Sequence, residues 1–172
     1  MKPIAFILLS LVSIAAHAQN TQSAATQQVA VSLGNVIEIK LQSSSISLPF
    51  TTVNDYANGV TSPEQQILVS SNKNFNVRVK SRKSRFGYAG NEKDPKMPLS
   101  VLKVKVANNQ TNGQISSGHT NYISLSTSGK NVITNATAGE NKNFSVEYQA
   151  KPGFTYPAGT YTVDIIYTAT QA

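Results

Sequence analysis

The residues of this 172-residue chain that could do chemistry are few. The chain has no cysteine, and of its two histidines His17 lies in an apolar N-terminal stretch, which leaves His119. Transition-metal sites need several imidazole or thiolate ligands, and a Ser-His-Asp triad needs a histidine that an acid orients. The residues around His119, Ser-Gly before it and Thr-Asn after it, are more typical of a loop. We therefore expect no metal and no cofactor.

The eight acidic residues do not single out a catalytic pair. Glycosidases need two carboxylates at a fixed separation, for which Asp55 and Glu64 are one candidate pair without further support. Residues 91–94, Asn-Glu-Lys-Asp, lack the regularly spaced oxygen ligands of a calcium loop and include a lysine. We expect a protein that is not an enzyme.

Positive charge is concentrated in one part of the chain. Ten of the fifteen basic residues lie between positions 73 and 105, where only Glu92 and Asp94 oppose them. Strand parity predicts five outward-facing cations here: Arg78, Lys80, Arg82, Lys103 and Lys105. If the two strands that carry these residues pair, they form one cationic patch for an anionic polysaccharide or an acidic partner. The alternative is a solvated face whose lysines discourage edge-to-edge aggregation.

A nucleic-acid partner is not expected for this basic region. Such proteins combine cations with aromatic side chains on which bases stack. The nearest aromatic residues, Phe86 and Tyr88, fall in a stretch that looks like a loop.

The candidate residues are carried by short segments in which apolar and polar residues alternate. The segments lie at residues 29–41, 46–50, 67–69, 75–79, 102–106, 123–125, 144–148 and 161–169. Turn signals such as Asn-Gly, Ser-Gly and Pro-Gly separate them, and a sustained helical period is missing beyond the N-terminal stretch. This pattern predicts an all-β protein, an antiparallel immunoglobulin-like β-sandwich of about eight to ten strands. A barrel is the alternative.

The N-terminus has the pattern of a cleaved export signal. Lys2 precedes an apolar run from Ile4, and Ala16-His17-Ala18 gives the small-x-small cleavage pattern. We expect a signal peptide at residues 1–18, a flexible polar lead-in at 19–28, and a single sandwich domain at 29–172. The exported chain, with no transmembrane segment, is expected in the periplasm, on the outer surface or outside the cell. Without disulfides, its fold depends on core packing or on neighbouring molecules.

The closing segment, residues 156–168, contains Pro157 and Gly159 ahead of the alternating Tyr161, Val163, Ile165 and Tyr167. It resembles the closing strand of spore coat protein U-type and other fimbria-related bacterial surface domains, and it is also similar to the last strand of WxL-like surface domains. The resemblance implies a small secreted β-sandwich at the bacterial surface.

Two functions follow as expectations. The first is a non-catalytic exported surface, matrix or fimbria-like protein with a structural or adhesive role that self-associates, or joins other surface proteins, through edge strands. In such an assembly residues 29–41 are the candidate donor strand, although they are also suited to complete their own sheet. The second is a binding module whose basic face, within residues 73–105, holds an anionic glycan or an acidic partner.

Overall fold

The computed structural model describes residues 22–172 and divides the chain into two units, Met1–Leu33 and Gly34–Ala172. In the described part of the first unit, residues 22–33 form no helix or strand and are exposed. The expected signal peptide, residues 1–18, and the start of the lead-in lie outside the described residues. Within residues 22–172, no helix has the length and apolar character that crossing a bilayer requires.

The regular secondary structure of the second unit is mostly β-strand. Its elements are β1 (Ile37–Leu41), α1 (Val53–Asn58), β2 (Val60–Thr61), β3 (Gln65–Ser71), β4 (Phe75–Ser81), β5 (Gly87–Ala89), a 3-10 turn (Leu99–Val101), β6 (Leu102–Asn109), β7 (Gln114–Ile115), β8 (Ile123–Ser124), β9 (Lys130–Ala136), β10 (Gly139–Ala150), β11 (Thr160–Thr162) and β12 (Ile165–Gln171).

These strands form two main sheets and a small ribbon. The first sheet has the order β1-β3-β10-β6-β8, with β2 paired to the end of β10. The second sheet has the order β12-β4-β9-β7, and β11 pairs with β5 in the ribbon. All strand pairs are antiparallel. The prediction of an all-β, antiparallel, sandwich-like fold is confirmed. The described residues form twelve strands, more than the eight to ten predicted, and β2, β5, β7 and β9 lie outside the segments that alternation marked.

The core forms where the inward faces of the two sheets meet. Phe75, Val77 and Val79 of β4 are buried, as are Leu102 and the other inward residues of β6, which confirms the parity predicted for both strands. Burying each such side chain stabilises the fold by about 1.5–3 kcal/mol relative to exposure.

Three predicted strands need correction. Of residues 29–41, only Ile37–Leu41 form a strand, and it pairs with β3. Residues 46–50 form no strand, although Leu48 and Phe50 pack against the core. The closing segment is divided at residues 163–164, because β11 pairs in the ribbon while β12 pairs with β4. Alternation in the sequence predicts which side chains face inward. It does not predict which strand each segment pairs with, and the three corrections depend on that pairing.

Two shorter features also differ from the sequence expectation. Residues 87–89, expected in a loop, form β5. Helix α1 begins with a capping box, in which Thr52 accepts from the Asp55 N–H and the Asp55 side chain accepts from the Thr52 N–H. Gly59 ends the helix with φ of 86°, where a Cβ atom would lie 2.6 Å from the Ala150 carbonyl oxygen. This tight turn carries the chain from the helix into β2.

Candidate functional site

A cavity of about 790 Å³ opens between the two sheets, and we call it the inter-sheet cleft. Ile67, Val146 and Tyr148 line it from the first sheet, and Ile165 and Tyr167 from the second. The loop of residues 43–50, Tyr161 of the ribbon and Tyr56 of α1 complete its walls. A cleft of this size, with apolar and polar side chains in its walls, falls in the range of binding sites.

The cleft is open because strand pairing stops short on both sides of it. The pairing of β1 with β3 ends at Leu41 opposite Ile67, followed by one more backbone bond from Gln42 to Gln66. After that, residues 43–50 make no backbone hydrogen bond to a strand within the described structure. On the opposite side β12 is the terminal strand of its sheet, so no strand of residues 22–172 pairs with its outer edge. The cleft therefore combines apolar walls with a free strand edge.

At its other end, the same edge is tied to the first sheet. The Gln171 side-chain amide at the end of β12 donates to the Val36 carbonyl oxygen at 2.8 Å and to Asn72 Oδ1 at 3.0 Å. Asn72 in turn donates to the Gly34 carbonyl oxygen at 2.7 Å. The two sheets are thus closed together near the C-terminus of β12 and separated near its start.

Two tyrosines join the sheets inside the cleft. The hydroxyl groups of Tyr148, from β10, and Tyr167, from β12, lie 2.8 Å apart. Burial raises the pKa of Tyr148 to about 12, and burial also raises the pKa of Tyr167 well above its ordinary value of 10.0. Both phenols therefore stay protonated at neutral pH, and one donates a hydrogen bond to the other across the cleft.

Aromatic rings surround the cleft. Tyr56 lies 5.5 Å from Phe50 and stacks on Phe154 at the same centroid distance. In the ribbon, the rings of Tyr88 and Tyr161 lie 5.0 Å apart. Such pairs stabilise by about 0.5–1.5 kcal/mol beyond their buried area, so this rim is well fixed.

The N-terminal segment, residues 29–33, carries the most exposed apolar side chains of the described chain. Val29, Val31 and Leu33 are 77%, 80% and 87% exposed, and they alternate with Ala30 and Ser32. Alternate residues of an extended strand point to the same side at intervals of about 6.6–6.8 Å. In an extended conformation, Val29, Val31 and Leu33 therefore lie on the same side of the segment and form an apolar face.

The five predicted patch cations do not form one patch. Arg78 and Lys80 lie on β4 in the second sheet, and Arg82 follows β4, whereas Lys103 and Lys105 lie on β6 in the first sheet. The two strands do not pair, so the condition for a single patch is not met. Sequence parity gave the outward direction of the side chains but contained no information about strand partners.

On the first sheet, Lys105 is neutralised locally. Its Nζ lies 2.9 Å from Glu147 Oε2, which also accepts a hydrogen bond from the Tyr122 hydroxyl at 2.7 Å. The bonds from Tyr122 and then Lys105 lower the pKa of Glu147, and the bond to Glu147 raises the pKa of Lys105. The Lys105 ammonium also lies 4.9 Å from the centre of the Tyr122 ring. Lys105, Glu147 and Tyr122 thus bind one another in a half-buried cluster.

Of the residues considered for catalysis, Asp55 and Glu64 make hydrogen bonds within the fold, and His119 is buried. Asp55 caps α1, and hydrogen bonds from the Thr51 and Thr52 backbone lower its pKa. Glu64 accepts a 2.6 Å bond from Ser145. His119 is 3% exposed, and its Nδ1 has no partner within the described residues. Burial, followed by the charge of Lys130, lowers its pKa. In residues 22–172 there is no group of three or more metal-ligating side chains.

Two features, one in each unit, were not apparent in the sequence. The tyrosine pair joins residues on separate strands, and no local pattern connects them. The exposure of residues 29–33 was also missed, because their alternation runs on in phase with β1. No protein-family model matches the chain, and no curated protein matches it either. The fold and the cleft together describe an all-β sandwich-like protein, and the resemblance of residues 156–168 to surface domains remains a prediction.

Proposed function

We propose that this chain is a non-catalytic, exported subunit of a surface or fimbria-like structural assembly, and that its copies join by strand addition. The observation that carries the proposal is the inter-sheet cleft, in which a cavity with apolar inner walls lies beside an edge of β12 that no other described strand pairs with. An added strand would hydrogen-bond along that edge and place alternate side chains into the cavity.

The donor in this proposal is the segment of residues 29–33 of a second copy. The original candidate, residues 29–41, becomes shorter because Ile37–Leu41 already pairs with β3. Val29, Val31 and Leu33 share one side of an extended segment, and their high exposure leaves them available to a neighbouring molecule. Burial of each side chain would favour assembly by about 1.5–3 kcal/mol before the cost of ordering the segment.

The export part of the proposal depends on residues 1–18, whose apolar run and Ala16-His17-Ala18 pattern are those of a signal peptide. Outside the cytoplasm, assembly from neighbours is one way to stabilise a small domain that has no disulfide. In this proposal, strand addition at the cleft contributes the stability that disulfides give to other small exported domains.

The test compares two aspartate variants of the exported chain, V31D and S32D, by size-exclusion chromatography over a range of protein concentrations. Val31 is on the apolar side of the donor segment and Ser32 is on the other, so the pair is matched in charge and in position. We expect the unaltered chain and S32D to form oligomers that persist at high salt, since the contacts are apolar and backbone in nature, and V31D to remain monomeric.

A labelled peptide of residues 27–34 provides a second measurement. It should bind the monomeric V31D protein, whose cleft is unaltered, and an excess of it should block assembly of the unaltered chain. Assembly of V31D to the same extent as S32D would refute strand addition by this segment.

A further inference from the structure

A row of three cations lies on the outer face of the second sheet. Arg78 and Lys80 are exposed on β4, which lies between β12 and β9, and Arg82 continues the row. The Arg82 backbone N–H donates to the Asp164 carbonyl oxygen, so the pairing with the closing segment extends to this residue. Arg78 and Lys80, which both lie within β4, are about 6.6–6.8 Å apart along the strand.

The neighbours of this row are almost free of negative charge, and they are polar apart from the half-buried Ile166, which pairs with Lys80. Arg78 has Thr168 on one side and Asn131 on the other, and both of these are exposed. The acid next to the row is Asp164, whose Oδ2 lies 3.5 Å from Arg82 Nε in a pair that is about two-thirds exposed on both sides. Ion pairs with this exposure are weak, so an incoming anion can replace Asp164.

Arg78 is held in place by the turn before β9. One Nη atom of its guanidinium donates to the Gly129 carbonyl oxygen at 3.1 Å. The remaining N–H groups stay available for a carboxylate or sulfate, which the planar guanidinium can bind with two hydrogen bonds. Because the side chain is already ordered, it loses less conformational entropy when it binds a ligand.

We infer that this row is a binding surface for a linear anionic polysaccharide that carries carboxylate or sulfate groups. The cations of the row follow one another along a strand, and a polysaccharide with regularly repeated negative charges can contact several of them at once. The paired neighbours Thr168, Asn131 and Ile166 offer no ring for base stacking. Ile166 alone among them is apolar, and one half-buried isoleucine does not form the wide apolar face that insertion into a bilayer requires. Lys103 and Lys105 are not part of the surface, since they lie on the other sheet and Lys105 is bound by Glu147.

The experiment measures binding of polygalacturonate, with neutral dextran as the reference polymer, to R78T/K80T and to K93T/K103T. Each variant loses two exposed positive charges, but only the first loses them from the row. Threonine suits an exposed strand position, and circular dichroism and thermal melting confirm folding. We expect binding that weakens with added NaCl, is reduced about tenfold or more in R78T/K80T, and changes less than about twofold in K93T/K103T.

Equal weakening in both variants would show that net charge, rather than the row, attracts the polymer, and it would overturn the inference. Absence of binding by the unaltered chain would do the same. Tighter binding to single-stranded DNA or to anionic vesicles than to polygalacturonate would reject the polysaccharide as the partner class. The cleft and the donor segment are untouched in both variants, so a failure here leaves strand addition to be decided by its own test.

Discussion

The tyrosine pair in the inter-sheet cleft allows a double-mutant prediction. Replacing Tyr167 with phenylalanine removes the hydroxyl group that lies 2.8 Å from the Tyr148 hydroxyl. Because Tyr148 is buried, its hydroxyl then loses its partner away from water. A buried polar group without a partner costs about 1–3 kcal/mol of the free energy of unfolding, and we expect this loss in Y167F and similarly in Y148F.

The double variant Y148F/Y167F should be more stable than the sum of the single effects indicates. With both hydroxyl groups gone, two rings of nearly unchanged shape face each other and no polar group is left unpaired. The coupling energy should therefore be about 1–3 kcal/mol, measured by urea denaturation of the three variants and the unaltered chain at pH 7. Additive single effects would show that the hydroxyl groups do not depend on each other, and would refute this account of the cleft.

The same pair predicts a loss of stability at alkaline pH. The unfolded chain releases the Tyr148 proton near pH 10, whereas in the folded chain the pKa is raised to about 12. Stability is therefore fully retained below about pH 10 and falls as the pH rises from 10 to 12, by about 3 kcal/mol for this residue alone. The double phenylalanine variant should show a smaller decrease over this range. An equal decrease in stability in the double variant and the unaltered chain would show that other groups cause the decrease.

Two further predictions concern His119 and the helix cap. Burial lowers the pKa of His119 below its ordinary value of 6.5, so the unfolded chain takes up its proton first on acidification. The free energy of unfolding should therefore fall as the pH drops below about 6.5 and level off below the pKa of the folded state. In H119Q, urea denaturation should give a flatter dependence of stability on pH. An unchanged dependence would contradict the assignment to His119. Thr52→Ala removes the side chain that accepts from the Asp55 N–H and should destabilise by about 0.5–2 kcal/mol in thermal denaturation. Stability equal to that of the unaltered chain would show that the cap is dispensable.

The sequence was sufficient to predict the inward faces of strands but not their partners. Phe75, Val77 and Val79 were predicted inward from alternation alone, since the period of two is a property of each strand by itself. Strand pairing depends on residues distant in sequence, and for that reason Lys103 could not be separated from Arg78 before the sheets were known. The same limit explains why residues 29–33 and Ile37–Leu41 looked alike, although only the second has a partner.

The site was harder to predict than the fold. The inter-sheet cleft exists because the strand pairing of β1 ends at Leu41 and because β12 pairs with a single strand, β4, among the described residues. Both reasons are missing contacts. A missing contact leaves no pattern in local sequence. The tyrosine pair likewise joins residues nineteen positions apart, and each one reads simply as an apolar strand position.

The bonds from Gln171 give any assembly built on this cleft a polarity. They close the sandwich at the C-terminal end of β12, while the edge stays open near Ile165. In the proposed assembly, a segment added along this edge would start near Ile165, beside the tyrosine pair, and would stop where the Gln171 amide holds the sheets together. Each copy would carry an entrance and a stop at opposite ends of a single strand, so a chain of copies would have two distinguishable ends and would add new members in one orientation.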